Sequence, residues 1–205
     1  MPYIFLDIET IPLEIKNEEV KSYLIDSKIG KEGRIFNPLY SKVIVVGIKE
    51  MGKAPEIIHD ENEKSLLEKL WLSINPHQLS SEKKSDVVIV TFNGYKFDIP
   101  FLTIRSAING LFPSIQINTN RWTMPNSNHF DVMMFFSQYE NFINPNLEIL
   151  TKILDVDTSD LEESKLKGAD IEKAYRLGKI EWIKSKCSRD LQLLEKIFKK
   201  ACLLQ

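Results

Sequence analysis

The sequence Val-Ile-Val-Val-Gly-Ile at residues 43–48 is an almost continuous run of β-branched side chains. Such residues favour strands, and a strand that lacks alternating polar residues is typical of a sheet covered on both faces. A turn at residues 51–53 and another apolar stretch at residues 56–59 then predict a hairpin. The run therefore predicts a central strand that is buried on both faces.

A helix and another strand follow the predicted hairpin. Between residues 62 and 75 the apolar side chains fall on one helical stripe, and Asp60 or Asn62 can cap this helix. Residues 87–90 predict a further buried strand, and the order strand, helix, strand implies a crossover with some parallel pairing. Further predicted elements are a short strand at residues 115–117 and helices that begin near residues 100, 146, 170 and 180. We therefore expect an α/β fold with a mixed central sheet, in a single domain that spans residues 1–205.

The composition is that of an ordinary globular protein, with 43% hydrophobic and 27% charged residues. The formal net charge of -2 shows no overall basic surface for nucleic acid, although a local acidic cluster and a local basic rim would cancel in the sum. Cys187 and Cys202 are too few for a disulfide framework or a thiolate metal site, so we expect a reducing cytoplasm. The first fifteen residues lack the basic start of a secretory signal, and no apolar run approaches the roughly 20 residues of a membrane helix.

The first apolar stretch, residues 4–10, carries two carboxylates near its end. Because side chains alternate along a strand, Asp7 and Glu9 point to the same face. Two buried carboxylates on one face cost desolvation unless a cation or a hydrogen-bond network compensates them. Carboxylate pairs suit Mg²⁺ or Mn²⁺, whereas zinc prefers His and Cys. The alternative is a strand that simply ends in a polar loop.

Three later acids stand at positions where a carboxylate can act structurally or as a ligand. Asp98 follows a strand and an Asn-Gly turn, and it either caps the next helix or contributes to a site. Asp131 is expected to cap a helix rather than to bind a ligand. Asp190 lies on the apolar stripe of the last helix and therefore needs a partner, which is either a site or an ion pair with Arg176 or Lys152.

Together, four of these acids and their surroundings resemble the DEDD (DnaQ-like) 3′-to-5′ exonucleases of the ribonuclease H-like fold. Residues 7–9 resemble the first motif of that superfamily. Residues 92–93 and 97–102 with Arg105 resemble the second motif, in the form typical of the proofreading domains of family-B DNA polymerases and their stand-alone relatives. Residues 130–133 also resemble a segment of those relatives, and residues 186–190 align with the third motif.

The resemblance implies a metal-dependent exonuclease that removes nucleotides from the 3′ end of single-stranded nucleic acid, DNA in preference to RNA. Two Mg²⁺ or Mn²⁺ ions about 4 Å apart would activate water and relieve the leaving oxygen of charge. In line with the superfamily, Asp7 would bridge the ions, Glu9 and Asp190 would hold the ion that activates water, and Asp98 would hold the second ion largely through water. The implied fold is α/β and ribonuclease H-like, with helices on both sides of the sheet.

The resemblance also implies residues that contact the substrate. Thr10, Asn93 and Phe97 are expected to shape the groove for the terminal nucleotides. Unpaired bases stack on aromatic rings whatever their sequence, which suits an enzyme that trims any 3′ end. The partner is therefore the 3′ end of a single strand, and no membrane contact is expected. The sequence does not identify a replication or repair partner, or an oligomeric state.

Lys186 departs from the third motif, in which a tyrosine is expected four residues before the last aspartate. The other branch of the superfamily has a histidine five residues before it, and this chain has Ser185 there. Lys186 and Asp190 are one helical turn apart, so we expect the lysine to reach the site. An ammonium is only a donor, whereas a tyrosine hydroxyl both donates and accepts. Two interpretations follow: Lys186 has a catalytic role at the scissile phosphate, or the activity is weakened or lost.

Overall fold

The computed structural model describes residues 3–26, 37–79, 87–120, 128–164 and 166–201. The strands in these ranges are β1 (Tyr3–Pro12), β2 (Ser41–Glu50), β3 (Glu56–His59), β4 (Val88–Thr91) and β5 (His129–Asp131). The α-helices there are α1 (Glu18–Asp26), α2 (Glu63–Leu79), α3 (Asp98–Ile108), α4 (Val132–Phe136), α5 (Leu147–Ile153), α6 (Ile171–Arg176) and α7 (Ile180–Ala201). None of the helices in these ranges has the length and apolar character that crossing a membrane requires.

Within the described ranges the strands form one mixed sheet of five strands in the order β3-β2-β1-β4-β5. The pairs β1–β2 and β2–β3 are antiparallel, which confirms the predicted hairpin. The pairs β1–β4 and β4–β5 are parallel, which confirms the parallel pairing expected from the crossover. β2 is buried over most of its length, as its β-branched run predicts, but β1 occupies the middle of the sheet.

Helices cover both faces of the sheet. Ile4, Leu6 and Ile8 of β1 belong to a core cluster with the apolar stripe of α2 and with α3. Phe5 lies on the opposite face, in a cluster with Leu191 and other residues of α5 and α7. Because successive side chains of a strand alternate between faces, the odd-numbered residues from 5 to 9 face α7. This alternation directs the two acids of β1 toward the last helix.

Most predicted helices are present, and the clearest one is α2. Asn62 caps it, because the Asn62 side chain accepts a hydrogen bond of 3.2 Å from the backbone N–H of Ser65. The strand predicted at residues 115–117 is wrong, since this segment is irregular. Ile115 packs in the core cluster beneath α2, and this burial accounts for the apolar residue at that position. The hydroxyl of the neighbouring Ser114 donates to the Trp71 carbonyl. Cys202 lies outside the described residues.

Candidate active site

The two acids of β1 lie just beyond the point where β4 stops pairing with that strand. The parallel ladder between β1 and β4 ends at the pair Phe5 and Val90. The backbone N–H of Ile8 then donates to the Asp98 carboxylate over 3.2 Å. Asp98 begins α3, and no side chain caps the N-terminus of that helix, so the N-cap alternative for Asp98 is wrong. The end of one strand ladder therefore brings the acid of α3 against the acid-bearing segment of β1.

The close approach of α7 brings another acid and a lysine to the same place. Gly47 of β2 makes room for α7, because a Cβ atom at that position would lie 2.6 Å from the Cys187 sulfur and from a methyl group of Leu191. Lys186 and Asp190 lie one turn apart on α7. The Lys186 ammonium donates to Glu9 Oε1 over 2.7 Å and to Asp190 Oδ2 over 2.8 Å. The structure therefore places Lys186 between two of the acids that the sequence singled out.

Asp7, Glu9 and Asp190 form a compact acidic cluster, in which one carboxylate oxygen from each residue lies within 4.8 Å of the other two. Asp98 is attached through the Ile8 backbone rather than by membership of this cluster. Oδ2 of Asp7 is buried and has no hydrogen-bond partner among the described residues. Buried carboxylate oxygens normally have partners, and converging carboxylates are the ligands that hard divalent cations prefer. The residues present therefore fit a site for Mg²⁺ or Mn²⁺.

Burial dominates the electrostatics of these acids. Desolvation raises the pKa of Asp7 well above its ordinary value, and the charge of Glu9 adds to this shift while Lys186 opposes it. Desolvation also raises the pKa of Glu9, against the lowering effect of Lys186. The pKa of Asp98 rises to about 8, first through burial and further through the nearby charge of Asp131. Burial therefore favours the protonated forms of Asp7, Glu9 and Asp98.

The turn after β4 depends on Asp131. Asn93 has a positive φ of 68°, and its N–H donates to Asp131 Oδ1 over 2.9 Å. The N–H of Tyr95 donates to the other Asp131 oxygen over 3.0 Å, and Met134 N–H at the start of α4 donates over 3.2 Å. Asp131 is the N-cap of α4, as predicted. Its carboxylate therefore links the turn between β4 and α3 to α4.

The three residues expected to contact substrate occupy different settings. The buried Oδ1 of Asn93 has no hydrogen-bond partner among the described residues. Phe97 is the residue before α3, and its ring lies 5.2 Å from the Phe101 ring, measured between centroids. Thr10 is half-buried on β1 next to an irregularity in the register with β2. Asn93 and Phe97 thus flank the turn that leads to Asp98, while Thr10 follows Glu9.

The predicted ion-pair alternatives for Asp190 are not the observed contacts. Arg176 pairs instead with Glu172 at the surface, and Lys152 lines a cavity of about 520 Å³. Arg189 lines the same cavity, and its buried Nε has no hydrogen-bond partner among the described residues. Sequence reasoning did not assign Arg189, although its position next to Asp190 was a usable signal.

Sequence reasoning also missed the partner of Arg105. The Arg105 guanidinium forms a buried ion pair with Glu63 of α2 and donates to the carbonyl of Pro38. Glu63 in turn accepts the N–H of Val43 over 2.8 Å. The Arg105–Glu63 pair therefore links α3 to α2 and, through Val43, to the start of β2. This residue of the second motif thus has a structural role in helix packing.

Comparison with known proteins agrees with this geometry. A family model described as a predicted 3′-5′ exonuclease related to the exonuclease domain of PolB matches residues 41–193, about three quarters of the chain. The chain belongs to this family. The match confirms the expected exonuclease superfamily and includes Asp98, Lys186 and Asp190, whereas Asp7 and Glu9 precede the matched residues of this exonuclease family. A comparison with curated protein sequences gives no match.

A solved structure supports the fold. The family B DNA polymerase from the hyperthermophilic archaeon Pyrobaculum calidifontis is similar, with a TM-score of 0.67 and 14% sequence identity. The similarity covers 97% of this chain and 24% of the polymerase chain. Because the identity is low, this similarity establishes the fold alone, which is the expected α/β, ribonuclease H-like fold with a mixed sheet flanked by helices.

Proposed function

We propose that this member of the exonuclease family is a metal-dependent 3′-to-5′ exonuclease that acts on single-stranded nucleic acid, DNA in preference to RNA. The observation that supports it best is the cluster of Asp7, Glu9 and Asp190, in which one carboxylate oxygen from each residue lies within 4.8 Å of the other two. Asp98 adjoins this cluster through the N–H of Ile8. The preference for DNA follows from the relation of the matched family to an exonuclease domain of PolB.

The four acids would hold two divalent ions, Mg²⁺ or Mn²⁺, whose chemistry is to generate hydroxide from water and to neutralise the leaving oxygen. The carboxylates of Asp7, Glu9, Asp98 and Asp190 carry the negative charge that such ions need. Glu9 and Asp98 are buried, and low exposure strengthens the attraction of such carboxylates for cations.

The neighbouring residues would position the strand. Asn93 and Phe97 flank the turn before Asp98 and would contact the terminal nucleotides, as would Thr10 after Glu9. Arg189 precedes Asp190 in the sequence of α7, and its buried Nε has no hydrogen-bond partner among the described residues, so this side chain would contact a phosphate of the strand. Phosphate contacts position a nucleic acid without reading its sequence, which suits an enzyme that trims any 3′ end.

A second candidate is a nucleic-acid-binding module with weak or no catalysis. It is favoured by one observation, the pairing of the Lys186 ammonium with both Glu9 and Asp190 where the superfamily pattern predicts a tyrosine. An ammonium cannot accept a proton from water. This pairing also reduces the charge available for metal ions.

Cleavage of a 5′-labelled oligonucleotide separates the two candidates. With Mg²⁺ or Mn²⁺ present, the exonuclease shortens single-stranded DNA stepwise from its 3′ end, and more slowly a single-stranded RNA of the same sequence. Asp7→Asn abolishes the ladder of products, whereas Glu172→Gln on the surface of α6 leaves it unchanged. Binding without shortening in either metal supports the binding module, and faster cleavage of RNA would refute the preference for DNA.

A further inference from the structure

Lys186 occupies the space between two carboxylates that the proposed function assigns to a metal ion. Its nitrogen lies 2.7 Å from Glu9 Oε1 and 2.8 Å from Asp190 Oδ2. Only 14% of the Lys186 side chain is exposed, and the Glu9 side chain is 8% exposed. A buried ammonium with two charge-assisted hydrogen bonds is stable in this position, because its movement away would leave both carboxylates without a counter-ion.

The acids of the site therefore fall into two unequal halves. In the described part of the chain, Lys186 provides the ion pairs of both Glu9 and Asp190. Asp7 differs, since its buried Oδ2 has no hydrogen-bond partner among the described residues. Asp98 is attached to β1 through the N–H of Ile8, the residue that follows Asp7. One half already pairs with a cation that is part of the chain, and the other half offers a buried carboxylate oxygen that accepts no hydrogen bond from the described residues.

We propose that Lys186 is an internal cation that competes with a divalent ion for Glu9 and Asp190. The inference rests on the proposed metal-dependent function, whose two-ion site it refines. One divalent ion binds at the open side with Asp7, and a second ion binds only by displacing the Lys186 ammonium. The second ion is therefore bound more weakly than it would be if residue 186 were neutral.

Removal of the lysine charge reverses this relation. Lys186→Met keeps most of the aliphatic stem and removes the ammonium, so Glu9 and Asp190 become available to a divalent ion. The same substitution leaves these carboxylates without a counter-ion when metal is absent. The variant should therefore be less stable than the wild type in EDTA and should gain more stability from added metal than the wild type does.

The test is a titration of the full chain with Mn²⁺ in the absence of nucleic acid, followed by calorimetry and by the electron paramagnetic resonance signal of free Mn²⁺. For the wild type we expect one ion to bind, with a second at least tenfold weaker. For Lys186→Met we expect two ions, the second bound at least tenfold more tightly than in the wild type. Lys184→Met is the matched control, because Lys184 pairs with Glu181 near the surface of α7 and should titrate like the wild type.

Thermal unfolding with and without Mn²⁺ gives a second readout and covers a variant that folds poorly. Lys186→Gln is made in parallel, and folding of either variant only with Mn²⁺ supports the inference. Variants that stay unfolded with Mn²⁺ overturn it, since a divalent ion then fails to replace the lysine. Unchanged Mn²⁺ stoichiometry and affinity in a folded Lys186→Met, or two equally tight ions in the wild type, also overturn it.

These binding measurements need no cleavage, so the two hypotheses fail separately. If Mn²⁺ binds as expected but no oligonucleotide is shortened, the exonuclease proposal fails and the competition stands. If the wild type cleaves DNA but Lys186→Met binds Mn²⁺ as the wild type does, the competition alone fails.

Discussion

The buried ion pair between Arg105 and Glu63 should stabilise the packing of α3, the helix that carries Asp98, against α2. The side chains are 7% and 8% exposed, respectively, and Arg105 Nη2 lies 2.5 Å from Glu63 Oε2. Arg105 Nε also donates to Glu63 Oε1 over 2.9 Å, and Glu63 Oε1 accepts the N–H of Val43 over 2.8 Å. Arg105→Met removes the guanidinium and leaves the Glu63 carboxylate buried without its counter-ion.

Breaking a buried pair from one side costs about 3–5 kcal/mol of unfolding free energy. For a chain of this size, that cost lowers the Tm by roughly 6–20 °C. Glu63→Gln should be similarly costly, because it leaves the Arg105 charge unpaired. The double variant Glu63→Gln with Arg105→Met removes both charges and keeps an amide oxygen that can accept the Val43 N–H. Its loss of unfolding free energy should therefore be smaller than that of Arg105→Met alone, by at least about 1 kcal/mol.

The assay is urea unfolding of the four proteins of this double-mutant cycle, followed by circular dichroism. Arg176→Met is the control, since Arg176 pairs with Glu172 in an exposed i,i+4 contact and its loss should cost no more than about 0.5 kcal/mol. The reasoning is refuted if Arg105→Met costs no more than Arg176→Met. It is equally refuted if the two single changes at residues 63 and 105 simply add in the double variant.

Three further outcomes follow from the structure. Burial lowers the pKa of His129 to about 4, so between pH 6.5 and pH 4 the unfolded chain binds a proton at this residue and the folded chain does not. The free energy of unfolding should therefore fall by about 3 kcal/mol as the pH decreases toward 4. His129→Gln should abolish this loss, which urea unfolding at several pH values measures. Gly94→Ala would place a Cβ 2.1 Å from Thr91 Oγ1 and should cost about 1–3 kcal/mol, whereas a Cβ at Gly168 meets no atom of the described residues within 4 Å, so Gly168→Ala should change the unfolding free energy little. Arg189→Met should weaken binding of fluorescent single-stranded DNA in EDTA and reduce the salt slope by about 1, and an unchanged slope would exclude a phosphate contact.

The elements that sequence reasoning predicted best are those with an almost unbroken local signal. Residues 43–48 are β-branched except for Gly47, and β2 lies there; the stripe from Leu66 to Ile74 runs along α2. The failure at residues 115–117 has the opposite cause. Ile115 is apolar because it fills a core beneath α2, and burial alone does not distinguish a strand from an irregular packed segment.

Residue spacing alone predicted the arrangement of the site only where residues are close in sequence, and the grouping of the distant acids came from the resemblance. The i,i+4 spacing of Lys186 and Asp190 predicted their shared face, and the structure has them 2.8 Å apart. The contact of Lys186 with Glu9 joins residues 177 positions apart, and it depends on how closely α7 approaches the sheet. That approach requires Gly47, whose lack of a side chain had no local explanation within a β-branched run.

The lysine at position 186, where the superfamily pattern predicts a tyrosine, affects the charge of the site as well as its proton chemistry. Asp7, Glu9 and Asp190 together carry three negative charges when ionised, and burial makes this arrangement costly without cations. A neutral hydroxyl would leave all of that charge to be compensated by ions from solution. The Lys186 ammonium compensates part of it while it pairs with Glu9 and Asp190. Under the proposed competition, the folded chain therefore depends less on divalent ions, and a second ion must displace this ammonium. Stability without metal and affinity for the second ion should therefore change in opposite directions when residue 186 loses its charge.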